Sequence, residues 1–123
     1  MGKTIKKEML ERIAELYIEN RVALQKHKES IKETGNLKSA LDYECTKSAL
    51  FAKERLAYSL LDEEEDLELD YKEDSLLKKI DLNVTKMNRS TSYKDIVEYE
   101  IAIAVEKARL EMIQELIKLE KEL

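Results

Sequence analysis

The chain contains no proline and only two glycines among its 123 residues, so very little in it interrupts a helix. Proline and glycine supply most tight turns, and sheet-rich or loop-rich proteins need many of them. The composition is 43% hydrophobic and 40% charged, with 6% aromatic residues. This combination is typical of long helices that pack in bundles or coiled coils. We therefore predict one all-α domain spanning residues 1–123.

The segment from about Tyr93 to Glu122 carries the longest apolar pattern in the chain. Its apolar positions are Ile96, Val97, Tyr99, Ile101, Ile103, Val105, Leu110, Met112, Ile113, Leu116, Ile117 and Leu119. These positions are too many for one face of a surface helix, so the segment must be covered on more than one side. We predict a central helix against which the other helices pack.

Part of this last segment has a pattern that on its own predicts a β-strand. Between Val97 and Val105 the apolar residues alternate strictly with other residues. The intervening alanines and glutamates favour a helix instead, and helical spacing returns from Ala108. Ser92 followed by Asp95 resembles a capping box at the start of the segment. We therefore predict helix rather than strand.

Two further long helices are predicted upstream. In residues 4–34 apolar side chains recur at every third or fourth position, and a second periodic segment follows in residues 37–61. Gly35 can end the first helix in the left-handed conformation, and Asn36 can cap the second. Two residues between two helices predict an N-terminal helical hairpin.

An acidic run follows the hairpin, with nine acidic residues among the thirteen of residues 62–74. The excess charge behind the chain's net charge of −5 is concentrated there. Like charges one turn apart destabilise a helix, and Leu67, Leu69 and Tyr71 alternate instead of following a helical period. We predict an acidic loop here, followed by a shorter helix that Ser75 caps.

Together these segments predict an antiparallel helical bundle of three long helices and one short helix. Helices of about thirty residues extend about 45 Å, whereas one of about fourteen residues extends about 21 Å. The short helix would leave part of the seam between the long helices uncovered, and such apolar strips usually mark an interface. We predict a homodimer or a groove for a partner helix. The expected contact residues are Ile96, Tyr99, Ile103, Leu110, Ile113 and Ile117.

His27 is the only histidine, and it falls on the apolar stripe of the first helix. One interpretation is a hydrogen-bonded histidine at the edge of the core. Arg21 lies six residues earlier, and Arg followed by His at such a spacing resembles the signature of the HEPN ribonuclease superfamily. These are helical proteins that act as dimers through paired Arg and His residues. The resemblance implies a ribonuclease, which is our third hypothesis for the function.

The acidic run has two interpretations. As a solvated loop it favours solubility and disfavours contact with nucleic acid. As a functional element it could occupy a basic cleft built for DNA or RNA, because carboxylates and phosphates are attracted by the same cations. Our second hypothesis is therefore an inhibitor of a basic nucleic-acid-binding protein. This acidic patch comprises Glu63, Glu64, Glu65, Asp66, Glu68 and Asp70.

The sequence offers little catalytic or metal-binding chemistry. Di-metal sites in helical bundles use Glu-x-x-His pairs, but Leu24 stands where such a pair with His27 needs glutamate. Glu106 is expected to pair with Arg109 on the flank of the last helix. Cys45 has no Cys or His at ligand spacing, and its apolar neighbours predict a buried, inert thiol. We expect no enzymatic activity, no cofactor and no metal site.

The leading hypothesis is a small, non-enzymatic protein-protein interaction protein, such as an adaptor, chaperone or assembly factor. It would oligomerise or bind a partner through the apolar seam of its last helix. No apolar run approaches the length of about eighteen residues that a membrane span requires. Glu8, Glu11 and Glu15 interrupt what could otherwise be a signal peptide. We therefore expect a cytoplasmic protein that contacts neither membranes nor nucleic acid directly.

Overall fold

The computed structural model describes residues 6–30, 37–63 and 66–123. Within these ranges the chain forms four helices and no strand. The helices are α1 (Lys7–Glu29), α2 (Leu37–Leu61), α3 (Leu69–Arg89) and α4 (Tyr93–Glu122). The all-α fold class predicted from composition is confirmed. The predicted turn at Gly35 and Asn36 lies outside the described residues.

The third helix is longer than the sequence analysis predicted. α3 begins at Leu69, inside the acidic run, and its 21 residues nearly match the 23 of α1. The prediction of a short helix capped by Ser75, and of an acidic loop extending to residue 74, was wrong. Leu69 and Leu76 are both buried, and their burial offsets the repulsion among neighbouring carboxylates. Asp70 in the first turn also interacts favourably with the helix dipole.

The connection between α2 and α3 is held by both its backbone and its side chains. Leu67 is buried and belongs to the core. Glu68, which caps α3, has φ 52° and ψ 46°, in the left-handed region. Its backbone N–H donates to Oδ1 of Asp66 at 3.0 Å. Lys72 reaches back from α3 to the Leu67 carbonyl and to the Glu63 carboxylate. The start of α3 is therefore anchored to the segment before it.

The last helix is continuous over 30 residues, including the stretch with strict alternation. The prediction of helix rather than strand in this stretch is confirmed. The side chain of Ser92 accepts a hydrogen bond from the backbone N–H of Asp95 at 3.4 Å. This bond satisfies one of the free donors at the helix start, as the capping pattern predicted.

The four helices form two antiparallel pairs that meet along α2 and α4. His27 near the end of α1 stacks on Tyr43 near the start of α2, so this pair is antiparallel. α3 and α4 pack along each other across a short connection, residues 90–92, and are also antiparallel. Lys53 of α2 pairs with Glu111 of α4 at 2.9 Å. Tyr58, near the end of α2, contacts Tyr17 of α1, and Glu115, near the end of α4, pairs with Arg12 of α1, so both helix ends lie on the same side of the bundle. The two inner helices therefore run parallel, whereas the outer contacts are antiparallel.

The buried residues are concentrated in one half of the bundle, which we call the closed half. It contains the first half of α1, the last half of α2, the first half of α3 and the last half of α4. Its core is formed by Met9, Ile13, Leu16, Ala57, Leu60, Leu67, Leu69, Leu76, Met112, Ile113, Leu116 and Ile117. In the opposite half, Asn20 and Leu24 of α1 are still buried, but no residue with a described side chain is buried in ranges 38–51 of α2, 77–89 of α3 and 93–102 of α4. We call these three ranges the open half.

Candidate functional site

The predicted interface residues of α4 divide between the two halves of the bundle. Ile113 and Ile117 belong to the core of the closed half, and Ile103 is also buried. These three side chains contact their own chain and cannot reach a partner. Ile96 and Tyr99 are half-buried and lie in the open half, whereas Leu110 is half-buried against the core cluster. Only the first part of α4 therefore matches the predicted contact surface.

The open half also exposes large apolar side chains on two other helices. Phe51 of α2 is 50% exposed, and Leu77 and Leu82 of α3 are 47% and 53% exposed. Tyr93 at the start of α4 is 60% exposed. Large apolar side chains are also exposed outside the open half, at Ile18, Val22, Tyr58, Tyr71 and Leu123, so the open half is distinguished by the lack of buried side chains in its three ranges. The apolar surface of the open half is thus wider than the seam predicted on α4 alone.

Two adjoining cavities of about 420 and 310 Å³ lie along the junction of α2 and α4. They share Arg55 and Arg109, and together we call them the α2–α4 groove. On α4 the lining residues Val105, Arg109 and Ile113 are four residues apart and so occupy one helix face. The remaining lining residues are Leu24 and Lys28 of α1, Lys47, Ser48, Phe51, Ala52, Leu56 and Ser59 of α2, and Tyr71, Lys72, Ser75, Leu76 and Lys79 of α3.

The charged residues that line this groove are all cations, although the whole chain is acidic. They are Lys28, Lys47, Arg55, Lys72, Lys79 and Arg109. Three of them have carboxylate partners: Lys47 pairs with Glu44, Lys72 with Glu63 and Arg109 with Glu106. The other three form no ion pair with any residue in the described ranges. The groove therefore has a local positive charge that its own chain only partly neutralises.

Arg55 occupies the middle of the groove, where the two cavities meet. Its guanidinium carbon lies 5.9 Å from the centroid of the Phe51 ring, one turn earlier on α2. This cation–π contact holds the guanidinium over an exposed aromatic face without neutralising its charge. Arg55 and Phe51 thus present a cation beside an apolar surface.

Arg109, on the other side of the groove, is fixed by Glu106. Its Nη1 donates to Oε1 of Glu106 at 3.1 Å, which confirms the pairing predicted from sequence. The second carboxylate oxygen, Oε2, is buried and has no hydrogen-bond partner within the described structure. An unpaired buried carboxylate oxygen is costly, so the bond from Arg109 to the other oxygen offsets part of the cost of burying Glu106.

His27 and Arg21, the residues of the HEPN resemblance, make separate contacts. The His27 Nε2 lies 3.0 Å from the Tyr43 carbonyl oxygen, and the two rings stack with centroids 4.4 Å apart. Arg21 is exposed, and its Nη1 donates to the Tyr17 hydroxyl at 3.3 Å. The ribonuclease hypothesis stays a prediction. The position of His27 agrees with the interpretation as a hydrogen-bonded histidine at the core edge.

Cys45 is half-buried in the open half, so the predicted full burial is wrong. Desolvation raises the pKa of its thiol, and the negative charges of Glu100, Asp42 and Glu44 raise it further. A raised pKa lowers the fraction of reactive thiolate at neutral pH. This environment disfavours the thiolate, and partial burial, the effect predicted from the apolar neighbours of Cys45, is the largest cause of the raised pKa.

The acidic patch is divided between the α2–α3 connection and the start of α3. Glu63 pairs with Lys72 at 3.2 Å, and Asp66 accepts the backbone hydrogen bond described above. Glu68 and Asp70 are exposed. Two members of the predicted patch, Glu64 and Glu65, lie outside the described residues. The inhibitor hypothesis stays a prediction.

Among the described residues, no group of three or more His, Cys, Asp or Glu side chains could hold a metal ion. None of the described helices combines the length and apolar character that crossing a membrane requires. Comparisons with protein-family models, with curated proteins and with solved structures found no match to this chain. The open half and the α2–α4 groove are the candidate functional surfaces.

Proposed function

We propose that this chain is a small helical protein-interaction module, in the role of an adaptor or assembly factor, that binds a partner protein or a second copy over its open half. One observation carries the proposal. α2, α3 and α4 continue through the three ranges of this half with apolar side chains, yet no described side chain in those ranges is buried. Elsewhere in the same helices, side chains of the same kind form a closed core.

Covering the apolar surface of the open half would stabilise a complex. Removing apolar surface from water contributes about 25 cal/mol of stabilisation per Å². Ile96, Tyr99 and Ile101 are only half-buried, so a partner that covered them would supply further stabilisation. A stable interface covers about 800 Å² on each partner. The exposed Leu82 and Tyr93, with the half-buried Ile96 and Tyr99, offer apolar surface of the kind that forms the centre of such interfaces.

The first experiment measures self-association by sedimentation over a wide range of protein concentrations. Leu82→Glu places a charge at an exposed position of the open half, so it should not disturb folding. Ile18→Glu is the matched control, because Ile18 is also exposed but lies on α1. A dimer that only the Leu82 variant dissociates supports binding of a second copy.

A second experiment tests for a different partner. A photo-crosslinking amino acid placed at position 82 should capture a discrete protein in extract of the native host, whereas the same group at position 18 should not. A chain that stays monomeric and is crosslinked to nothing from position 82 would overturn the proposed function. Circular dichroism of each variant checks that the helical content is unchanged.

A further inference from the structure

We propose that the α2–α4 groove binds an acidic amphipathic helix of a partner protein. This inference goes beyond the proposed function, because the groove shares only Lys47, Ser48, Phe51 and Lys79 with the open half and so forms a second contact surface. Three properties of the groove carry it: its length, its apolar floor and its cationic rim. Each property restricts the possible ligand in a different way.

The length of the groove suits a segment of helix better than a small molecule. Its lining residues on α2 extend from Lys47 to Ser59, which at 1.5 Å per residue is about 18 Å. That is about three helical turns. The two cavities are adjoining and open, so a ligand can lie along the groove instead of entering a closed pocket. A helix of about three turns has matching dimensions.

The floor of the groove supplies the contact for an apolar stripe. The accessible apolar lining is formed by the exposed Phe51 and the half-buried Leu56 of α2 and by the half-buried Val105 of α4, whereas Ala52 and Ile113 lie buried beneath them. A helix that presents apolar residues at positions i, i+3 or i+4, and i+7 fits such a floor.

The rim determines the charge of the ligand. Lys28, Arg55 and Lys79 are exposed and form no ion pair with residues that the structure describes. They lie at the α1 end, the middle and the α3 side of the groove. Because they flank an apolar floor, glutamates and aspartates beside an apolar stripe would meet them. Such charge complementarity fixes orientation and excludes basic helices.

The same features disfavour nucleic acid as the ligand. Single-stranded nucleic acid binds by stacking successive bases on a series of aromatic side chains, whereas the lining of this groove contains two, Phe51 and Tyr71, one in each cavity. Beyond the groove, the chain has an acidic surface and a net charge of −5, which repels a long chain of phosphates. A short acidic helix avoids this repulsion, because its carboxylates lie against the cations of the groove and not against the acidic surface outside it.

The test uses the full chain and a synthetic, fluorescein-labelled helix with leucines at i, i+4 and i+7 flanked by glutamates. Fluorescence anisotropy measures the affinity. The double variant Arg55→Glu, Lys79→Glu should weaken binding by about tenfold or more, because two attractive contacts become repulsive. The control variant Lys107→Glu, Lys118→Glu changes the net charge equally on exposed positions outside the groove. It should weaken binding by less than about threefold, through long-range electrostatics alone.

Further probes separate the alternatives. The same peptide with lysines in place of glutamates should not bind detectably. The inference would be overturned if both double variants lost affinity for the peptide equally. It would also be overturned if an oligothymidine bound more tightly than the peptide and the groove variant abolished that binding. If no peptide binds but the chain self-associates through Leu82, the proposed function stands and the acidic-helix inference fails. If the chain neither self-associates, nor crosslinks to a partner from position 82, nor binds the peptide, both fail.

Discussion

Arg12 near the start of α1 and Glu115 near the end of α4 are joined by a hydrogen bond of 2.6 Å between Nη2 and Oε1. The contact with Glu115 is the main cause that raises the pKa of Arg12, and Glu15 and Glu19 of α1 contribute. α1 and α4 make few other close contacts, so this charged pair links the outer helix of one antiparallel pair to the inner helix of the other.

Removing the interhelical partner of Arg12 should destabilise the closed half. Glu115→Gln should lower the free energy of unfolding by about 0.5 to 1 kcal/mol, because both side chains are partly exposed and water screens the pair. Urea denaturation measures the change, and added salt should reduce it. Glu15→Gln is the control, since Glu15 contacts Arg12 only within α1. Equal losses in the two variants would contradict a role for the pair between helices.

A substitution at Glu68, the left-handed residue that caps α3, should stabilise the fold instead of destabilising it. Glu68 has φ 52°, a region that a residue with a Cβ atom occupies at a cost. Glu68→Gly should therefore raise the free energy of unfolding by about 0.5 to 1 kcal/mol, even though glycine loses more chain entropy on folding. Glu73→Gly, within the same helix, should lower it by about 1 kcal/mol. A loss of stability in both variants would show that the Glu68 side chain itself contributes.

The sequence could predict the helices because their signals are local. The absence of proline and the apolar period determined the fold class, and the spacing of Ser92 and Asp95 located the start of α4. The start of α3 could not be predicted in this way. Its helical state depends on burying Leu69 and Leu76 against residues far away in the chain, and a local pattern of charges does not contain that information.

The candidate site was only partly predictable for a related reason. Uncovered apolar surface on α4 was expected, but the sequence could not show that Ile113 lies in the core and Ile101 does not. The cationic groove was missed because its residues come from four helices and are far apart along the chain. The available signal was the spacing of Lys47, Phe51 and Arg55, which places an aromatic ring and two cations on one face of α2.

The thiol of Cys45 provides a test of the electrostatics in the open half. Its raised pKa predicts slow alkylation by iodoacetamide at neutral pH, with a rate that still increases at pH values where free cysteine has reached its plateau. Glu100→Gln removes a nearby negative charge and should lower the pKa and speed the reaction. Glu98→Gln makes the same change at a neighbouring exposed position and should have less effect. A rate profile like that of free cysteine would contradict the described environment.

The difference in packing between the closed and the open half can be measured by comparing two isoleucines of α4, Ile113 and Ile101. Ile113→Ala should lower the free energy of unfolding by about 3 kcal/mol, because it leaves a cavity in a filled core. Ile101→Ala should cost only about 1 kcal/mol at low protein concentration, because this side chain is half-buried and the surface around it can relax. Both variants change helix propensity equally, so urea denaturation compares burial directly. Equal costs at low concentration would show that the open half is packed within the monomer. A cost for Ile101→Ala that increases with protein concentration would show instead that a second copy covers this side chain.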